Sequence, residues 1–134
     1  MNTPYQFMYV SVLSPDASPA CIADIMRVAR VKNMALDITG LLVFDGWRFC
    51  QYLEGPEANV IELAHTISRD PRHQNFSVLH QGPLTGPRQY RGWSLGCALS
   101  ADETALPELE KQLGPRAIDL LQTLLPRLDL DPAS

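Results

Sequence analysis

The chain has 134 residues, 46% of them apolar and 19% charged, with a formal net charge of −4. That length suits one domain in the usual range of roughly 100–200 residues, large enough to bury about two-thirds of its unfolded surface without a metal or disulfide staple. The apolar share excludes wholesale disorder, and eleven scattered basic residues against fifteen acidic ones exclude nucleic-acid binding through a basic face.

Residues 5–13 alternate, with Phe7, Tyr9, Ser11 and Leu13 on one side and Met8, Val10 and Val12 on the other, and predict a strand. Ser-Pro-Asp-Ala-Ser-Pro then makes a turn. Ser18 can cap a helix and Pro19 fits its first position. That helix runs to about Lys32 with Ile22, Ile25, Met26 and Ala29 as its apolar stripe, and Asn33 stands where it should end. Residues 38–44 predict a strand, Asp45-Gly46 a tight hairpin, and residues 48–54 the return strand. Gly55-Pro56 opens a second helix over about 57–68, striped by Val60, Leu63, Ala64 and Ile67. After the loop 69–73, residues 76–80 read as a strand. Residues 90–98 read as another, with Trp93, Leu95 and Cys97 on one face.

The order β-α-β-β-α-β plus one further strand predicts an α+β, ferredoxin-like fold, with two helices on one face of a mainly antiparallel sheet. Residues 1–98 form the main domain in this reading and residues 99–134 a helical extension on the other side of the sheet. In that extension Ser100 and Glu103 fit a capping box, Pro107 restarts or kinks a helix, and a second helix after Gly114-Pro115 stops at Pro126.

Cys21, Cys50 and Cys97 are odd in number and widely spaced, with no C-x-x-C. They read as reduced thiols of a cytoplasmic protein. Met1 to Val10 carries no apolar signal-peptide core, and no 18-residue apolar run marks a membrane span. Nucleotide-loop, nucleophile-elbow and zinc-protease signatures are missing, and His65, His73 and His80 lack metal-like spacing. The expectation is a protein that is not an enzyme.

Four features stand apart from plain core. Tyr9 sits mid-strand among apolar residues; it is either a core tyrosine with its hydroxyl at an edge or a functional one. Gln51 lies between Phe49 and Leu53 on one strand face, so it faces solvent or answers another buried polar group. Asn33 suits a helix C-cap, and Asp70, Arg72 and His73 share a loop of the kind that is usually solvated. Together they allow a flat, polar-edged ligand between the two helices, with Asn33 and Arg72 near its carbonyls; the rigid donor fork of arginine suits a planar acceptor.

The ordered set M-Y-V-S (8–11), K-N-M-A-L-D-I-T-G-L-L (32–42), F-C-Q-Y-L-E-G-P (49–56), R-D-P-R-H (69–73) and W-S-L-G (93–96) resembles the BLUF domains, flavin-based blue-light sensors, over roughly residues 5–98. The resemblance implies a flavin, FAD by family habit with FMN or riboflavin as alternatives, held without a covalent bond between the two helices. It implies Tyr9 as the photoactive tyrosine and Gln51 as the glutamine between it and the ring. Asn33 and Arg72 would then bind the ring's polar edge, Ile25 and Ile67 sandwich it, and Asp70 and His73 lie near the ring and ribityl chain. Light would drive electron and proton transfer from Tyr9, and Gln51 would rotate or tautomerise, giving a red shift that reverses in darkness. Trp93 and Leu95, the latter where the family usually has methionine, would pass the signal on, with Gln51 expected against the last strand. The short stand-alone type implies output through a homo-oligomer or a separate protein partner, with Leu120, Leu121, Leu124, Leu125 and Leu128 either as apolar surface for that role or as plain packing on the open face of the sheet. The rival readings are a flavin-free BLUF-like interaction module and a small thiol enzyme or hydrolase on the same fold.

Overall fold

The computed structural model describes residues 4–100, 104–127 and 129–131. Its elements are β1 (Pro4–Leu13), α1 (Cys21–Ala35), β2 (Thr39–Phe44), β3 (Arg48–Pro56), α2 (Glu57–Ser68), β4 (His73–Pro83), β5 (Gly96–Leu99), α3 (Ala105–Glu110), α4 (Pro115–Leu124) and β6 (Asp129–Asp131). A single 3-10 turn, Leu125–Arg127, follows α4. The six strands lie in the order β4-β1-β3-β2-β5-β6. β1 pairs antiparallel with both β3 and β4, β3 antiparallel with β2, and β2 parallel with β5. The ferredoxin-like plan is thus present, with an added parallel strand.

Alternation sets the two faces. Cross-strand partners Phe7 and Leu53, Tyr9 and Gln51, and Phe44 and Phe49 share the face that α1 and α2 cover. Met8, Val10, Leu41, Val43, Cys50 and Tyr52 share the opposite face, buried with Leu106, Leu109, Ala117, Ile118 and Leu121 of α3 and α4. Residues 105–124 therefore close a core with the sheet from the side opposite α1 and α2, as expected, and β5 itself runs to Leu99. Each predicted helix stripe is the one that packs: Ile22, Ile25, Met26 and Ala29 from α1, and Val60, Leu63, Ala64 and Ile67 from α2.

Four expectations are corrected. α1 starts at Cys21, not after a Ser18 cap; the Ser18 hydroxyl accepts from Ala20 N–H, so Ser18-Pro19-Ala20 forms a turn ahead of the helix. The helix continues to Ala35, which places Asn33 inside its last turn, almost fully buried. The β2–β3 connection is three residues, with Gly46 at φ 93° and the Asp45 carboxylate accepting from Trp47 and Arg48 N–H groups. The largest correction is the strand predicted over 90–98. Only Gly96–Leu99 is strand, because a turn joins Trp93 N–H to Tyr90 carbonyl and Gly92 holds φ 89° within it. Trp93 consequently packs with the α3/α4 side, while Leu95 and Cys97 pack on the α1 side. β4 extends past the predicted 76–80, and β6 was not anticipated. Glu103 of the expected capping box and Leu128 lie outside the described residues; α3 is preceded by Thr104, which makes no side-chain cap.

Candidate functional site

Between α1 and α2, above the middle of the sheet, lies a cleft of about 220 Å³. Its floor is Tyr9 from β1, Leu42 from β2, and Phe49 and Gln51 from β3. One wall is α1, with Ile25, Val28, Ala29 and Asn33; the other is α2, with Leu63, Thr66 and Ile67. Asp70, Arg72 and His73 close one end, and exposed Asp24 and Lys32 stand at the rim. The cleft thus gathers the expected residues Tyr9, Ile25, Asn33, Gln51, Ile67, Asp70, Arg72 and His73. Trp93 and Leu95 do not line it.

The Tyr9 hydroxyl donates to Gln51 Oε1 at 2.5 Å. The two residues are direct cross-strand partners, so the antiparallel register itself sets this contact. Both side chains are buried. Gln51 therefore does not face solvent, and the open alternative resolves to a buried amide answering a buried phenol. Burial pushes the Tyr9 phenol well above its ordinary range, and the neighbouring Cys50 and Asp70 add to the effect. Tyr9 is a neutral donor at any working pH.

The loop after α2 is tied down by its own side chains, although it stays partly exposed. Arg72 Nε lies 3.0 and 3.1 Å from the two Asp70 oxygens and Nη2 lies 2.5 Å from Oδ2, a bidentate pair. The hydrogen bonds from Arg72 hold the Asp70 carboxyl below its ordinary range. This pairing uses Nε and Nη2 and leaves the Nη1 donors for a ligand. The His73 ring is pinned between Ser11 Oγ at 2.7 Å and the Ile67 carbonyl at 2.5 Å. It also stands edge-on to Tyr9, with centroids 6.0 Å apart.

Asn33 donates through Nδ2 to the Ser94 carbonyl at 2.8 Å, and the neighbouring Arg30 Nε donates to the Leu95 carbonyl at 3.0 Å. A pocket residue thus holds the segment that leads into β5. Leu95 itself is fully buried against Ile22, Ile25, Met26, Leu42 and Phe49, behind the cleft wall. Trp93 lies across the sheet, its ring 5.7 Å from that of Tyr90 and packed on Gly96, where an added Cβ would come within 2.7 Å of it. Gln51 does not abut β5, because β2 intervenes. The register runs Tyr9, Gln51, Leu42, Cys97 from strand to strand, so Leu42 is the link.

Sequence reasoning missed Leu42 on the floor, which the β2–β3 register sets directly opposite Gln51; Phe49, already on the Gln51 face by alternation along β3, joins it there. The cleft chemistry fits a flavin: aliphatic side chains from both helices for a flat ring, and amide and guanidinium donors confined to its edges.

The comparisons agree. The BLUF family, described as sensors of blue light using FAD, matches residues 5–96. A photoactivated adenylate cyclase beta subunit from Euglena gracilis is 34% identical over 92 residues, 67% of this chain and 11% of that protein. The blue light- and temperature-regulated antirepressor BluF of Escherichia coli K12 is 40% identical over 72 residues, 54% of this chain and 18% of that protein. The chain therefore spans only a tenth to a fifth of the length of these two relatives. Among solved structures, the dark state of BlrB, a BLUF protein, superposes with a TM-score of 0.78 at 33% identity, covering 93% of this chain and 96% of that one. Fold, cleft and comparisons converge: the chain belongs to the BLUF family of flavin-using blue-light sensors.

Proposed function

We propose that this chain is a blue-light photoreceptor in its own right, with FAD as its flavin and the Tyr9–Gln51 pair as its switch. The observation that carries the reading is the 2.5 Å hydrogen bond between these two buried residues on the floor of a cleft between two helices. A bound flavin supplies what no side chain here can, absorption of blue light and acceptance of an electron. Ile25 and Ile67, on opposite helices, would hold the ring between them. Asn33 and the Nη1 donors of Arg72 would bind its polar edge, with the Asp70 carboxylate fixing the Arg72 fork. His73, held at both nitrogens, walls the end of the cleft beside Tyr9.

On illumination Tyr9 would be the donor of an electron and its hydroxyl proton to the bound flavin; both would return to Tyr9 within the same light-driven event, leaving Gln51 rearranged, and darkness would reverse only the Gln51 change. Gln51, which receives the Tyr9 hydrogen bond, rotates or tautomerises and so exchanges donor for acceptor on the cleft floor. The change leaves the site along two paths: through Leu42 to β5, and through Asn33 to the Ser94 carbonyl. A two-state element at the start of β5 then biases a homo-oligomer interface or a separate protein partner. The chain carries no catalytic step of its own in this reading, contacts neither nucleic acid nor membrane, and works in the cytoplasm, where its thiols stay reduced.

The test is a visible absorption spectrum of the purified protein in darkness and after blue light. Flavin bands that move slightly to the red and return in darkness are the expected result. Flavin bands that do not move overturn the Tyr9–Gln51 switch. Absence of flavin after reconstitution with FAD overturns the whole reading in favour of an interaction module.

A further inference from the structure

On the face of the sheet away from the cleft, Glu54 of β3 is wholly buried. Its carboxylate accepts from three donors and lies near a fourth, the Tyr52 hydroxyl, whose single proton is shared with Gln6 Oε1 at 3.0 Å. Oε1 lies 2.7 Å from Gln89 N–H and 3.2 Å from the Tyr52 hydroxyl. Oε2 lies 2.8 Å from both Tyr90 N–H and the Thr39 hydroxyl. Two of these donors are consecutive backbone amides of the β4–β5 connection, which contains no strand or helix. From that anchor a turn carries the chain to Trp93, whose carbonyl accepts from Gly40 N–H. The next two carbonyls, Ser94 and Leu95, are held from the cleft side by Asn33 and Arg30. Residues 89–95 are therefore slung between two supports on opposite faces of the sheet. One support is a cleft residue, and the other sits three positions from Gln51 on the same strand. A buried carboxylate held by two consecutive amides and a hydroxyl is far stiffer than a loop held by its own turns, because every alternative position of the amides strands it in a dry site.

We propose that Glu54 is a positioning residue for light output: it fixes residues 89–90 so that a change at Asn33 moves Trp93 instead of being absorbed as slack in the connection. The inference rests on the photoreceptor reading for its light-dependent part only. The carboxylate does not line the cleft, so its removal leaves flavin binding and the red shift in place. Glu54→Gln keeps the shape but replaces one acceptor oxygen with a donor that faces donors.

The experiment uses the full chain, flavin-loaded, in a Trp47→Phe background so that Trp93 is the sole indole. Amide exchange at Gln89 and Tyr90, Trp93 fluorescence in darkness and light, and the flavin spectrum are read on the same sample. The clamp requires both amides of the unsubstituted protein to be protected to the level of the β3 core; exchange as fast as an exposed loop overturns it without any variant. In Glu54→Gln those amides exchange roughly tenfold or more faster, the red shift keeps its amplitude, and the light-induced change in Trp93 fluorescence is lost. Unchanged protection, an unchanged Trp93 response, or a lost red shift overturns the proposal. A parent protein with no red shift at all defeats the photoreceptor reading instead, and amide exchange then decides the clamp alone.

Discussion

Two buried polar clusters on opposite faces of one sheet, around Gln51 and around Glu54, are handled in opposite ways. On the α1/α2 face, Tyr9 and Gln51 make a short bond to each other beside a cleft, and among the described residues no acceptor takes up the Nη1 donors of Arg72. On the α3/α4 face, Glu54 is more deeply buried and more polar, yet two backbone amides and the Thr39 hydroxyl donate to it. One strand carries both, since Gln51 and Glu54 lie three positions apart on β3 and so point to opposite faces. Spare hydrogen-bonding capacity beside a void marks a place built for something else to enter, whereas a saturated group in a filled core marks a joint.

The sharpest break of this comparison is at Tyr9. Tyr9→Phe removes one hydroxyl from the cleft floor and should abolish the red shift while flavin remains bound; Gln51→Leu should do the same. A light-minus-dark difference spectrum reads both, and a shift of undiminished size in Tyr9→Phe would sink the assignment. The next effect concerns stability. Leu121→Ala empties a place in the filled core and should cost about 2–5 kcal/mol. In flavin-free protein Leu63→Ala should fall toward the low end, roughly 2 kcal/mol, because Leu63 already borders the cleft. Urea midpoints of the two variants measure the gap, and equal losses would erase the distinction between the faces.

The smallest effect is a pH dependence. His80 lies on the filled face, its Nε2 3.1 Å from Gln6 Nε2. Burial pushes the His80 pKa below its ordinary value. On acidification the unfolded chain takes up this proton before the folded one does, so stability falls as pH drops below about 6.5. The Asp70 carboxyl, also lowered, acts in a separate window: its stabilisation is present above the ordinary carboxylate range and is lost only below about 4. His80→Gln should flatten the slope between pH 6.5 and the folded midpoint, read by urea titrations at several pH values.

The parts legible in the sequence are those governed by a period. Alternation in β1 and β3 placed Tyr9 and Gln51 on one face, and the two helix stripes placed Ile25 and Ile67 above them. Periodicity failed where a turn interrupts it. Trp93, Leu95 and Cys97 alternate like a strand, but the Tyr90–Trp93 turn, opened by Gly92 at φ 89°, moves Trp93 to the other face. β6 is three residues long and takes its place only from pairing with β5, a signal no local pattern contains. Asn33 read correctly as near a helix end, but its bond to the Ser94 carbonyl joins residues 61 positions apart. Glu54 had a usable sign: a charged residue in register with Cys50 and Tyr52 on an apolar face had to be saturated or wrong.

The corner around Glu54 also bears on transplantation. Gly40 cannot carry a side chain, since a Cβ there would run into the Tyr52 carbonyl, and at Gly55 a Cβ would come within 2.7 Å of the Asp37 carbonyl. Thr39, Glu54 and the amides of residues 89–90 interlock around these two close approaches. An engineer grafting this light switch onto another sheet would therefore need to carry the corner along with the cleft lining, as a single cassette.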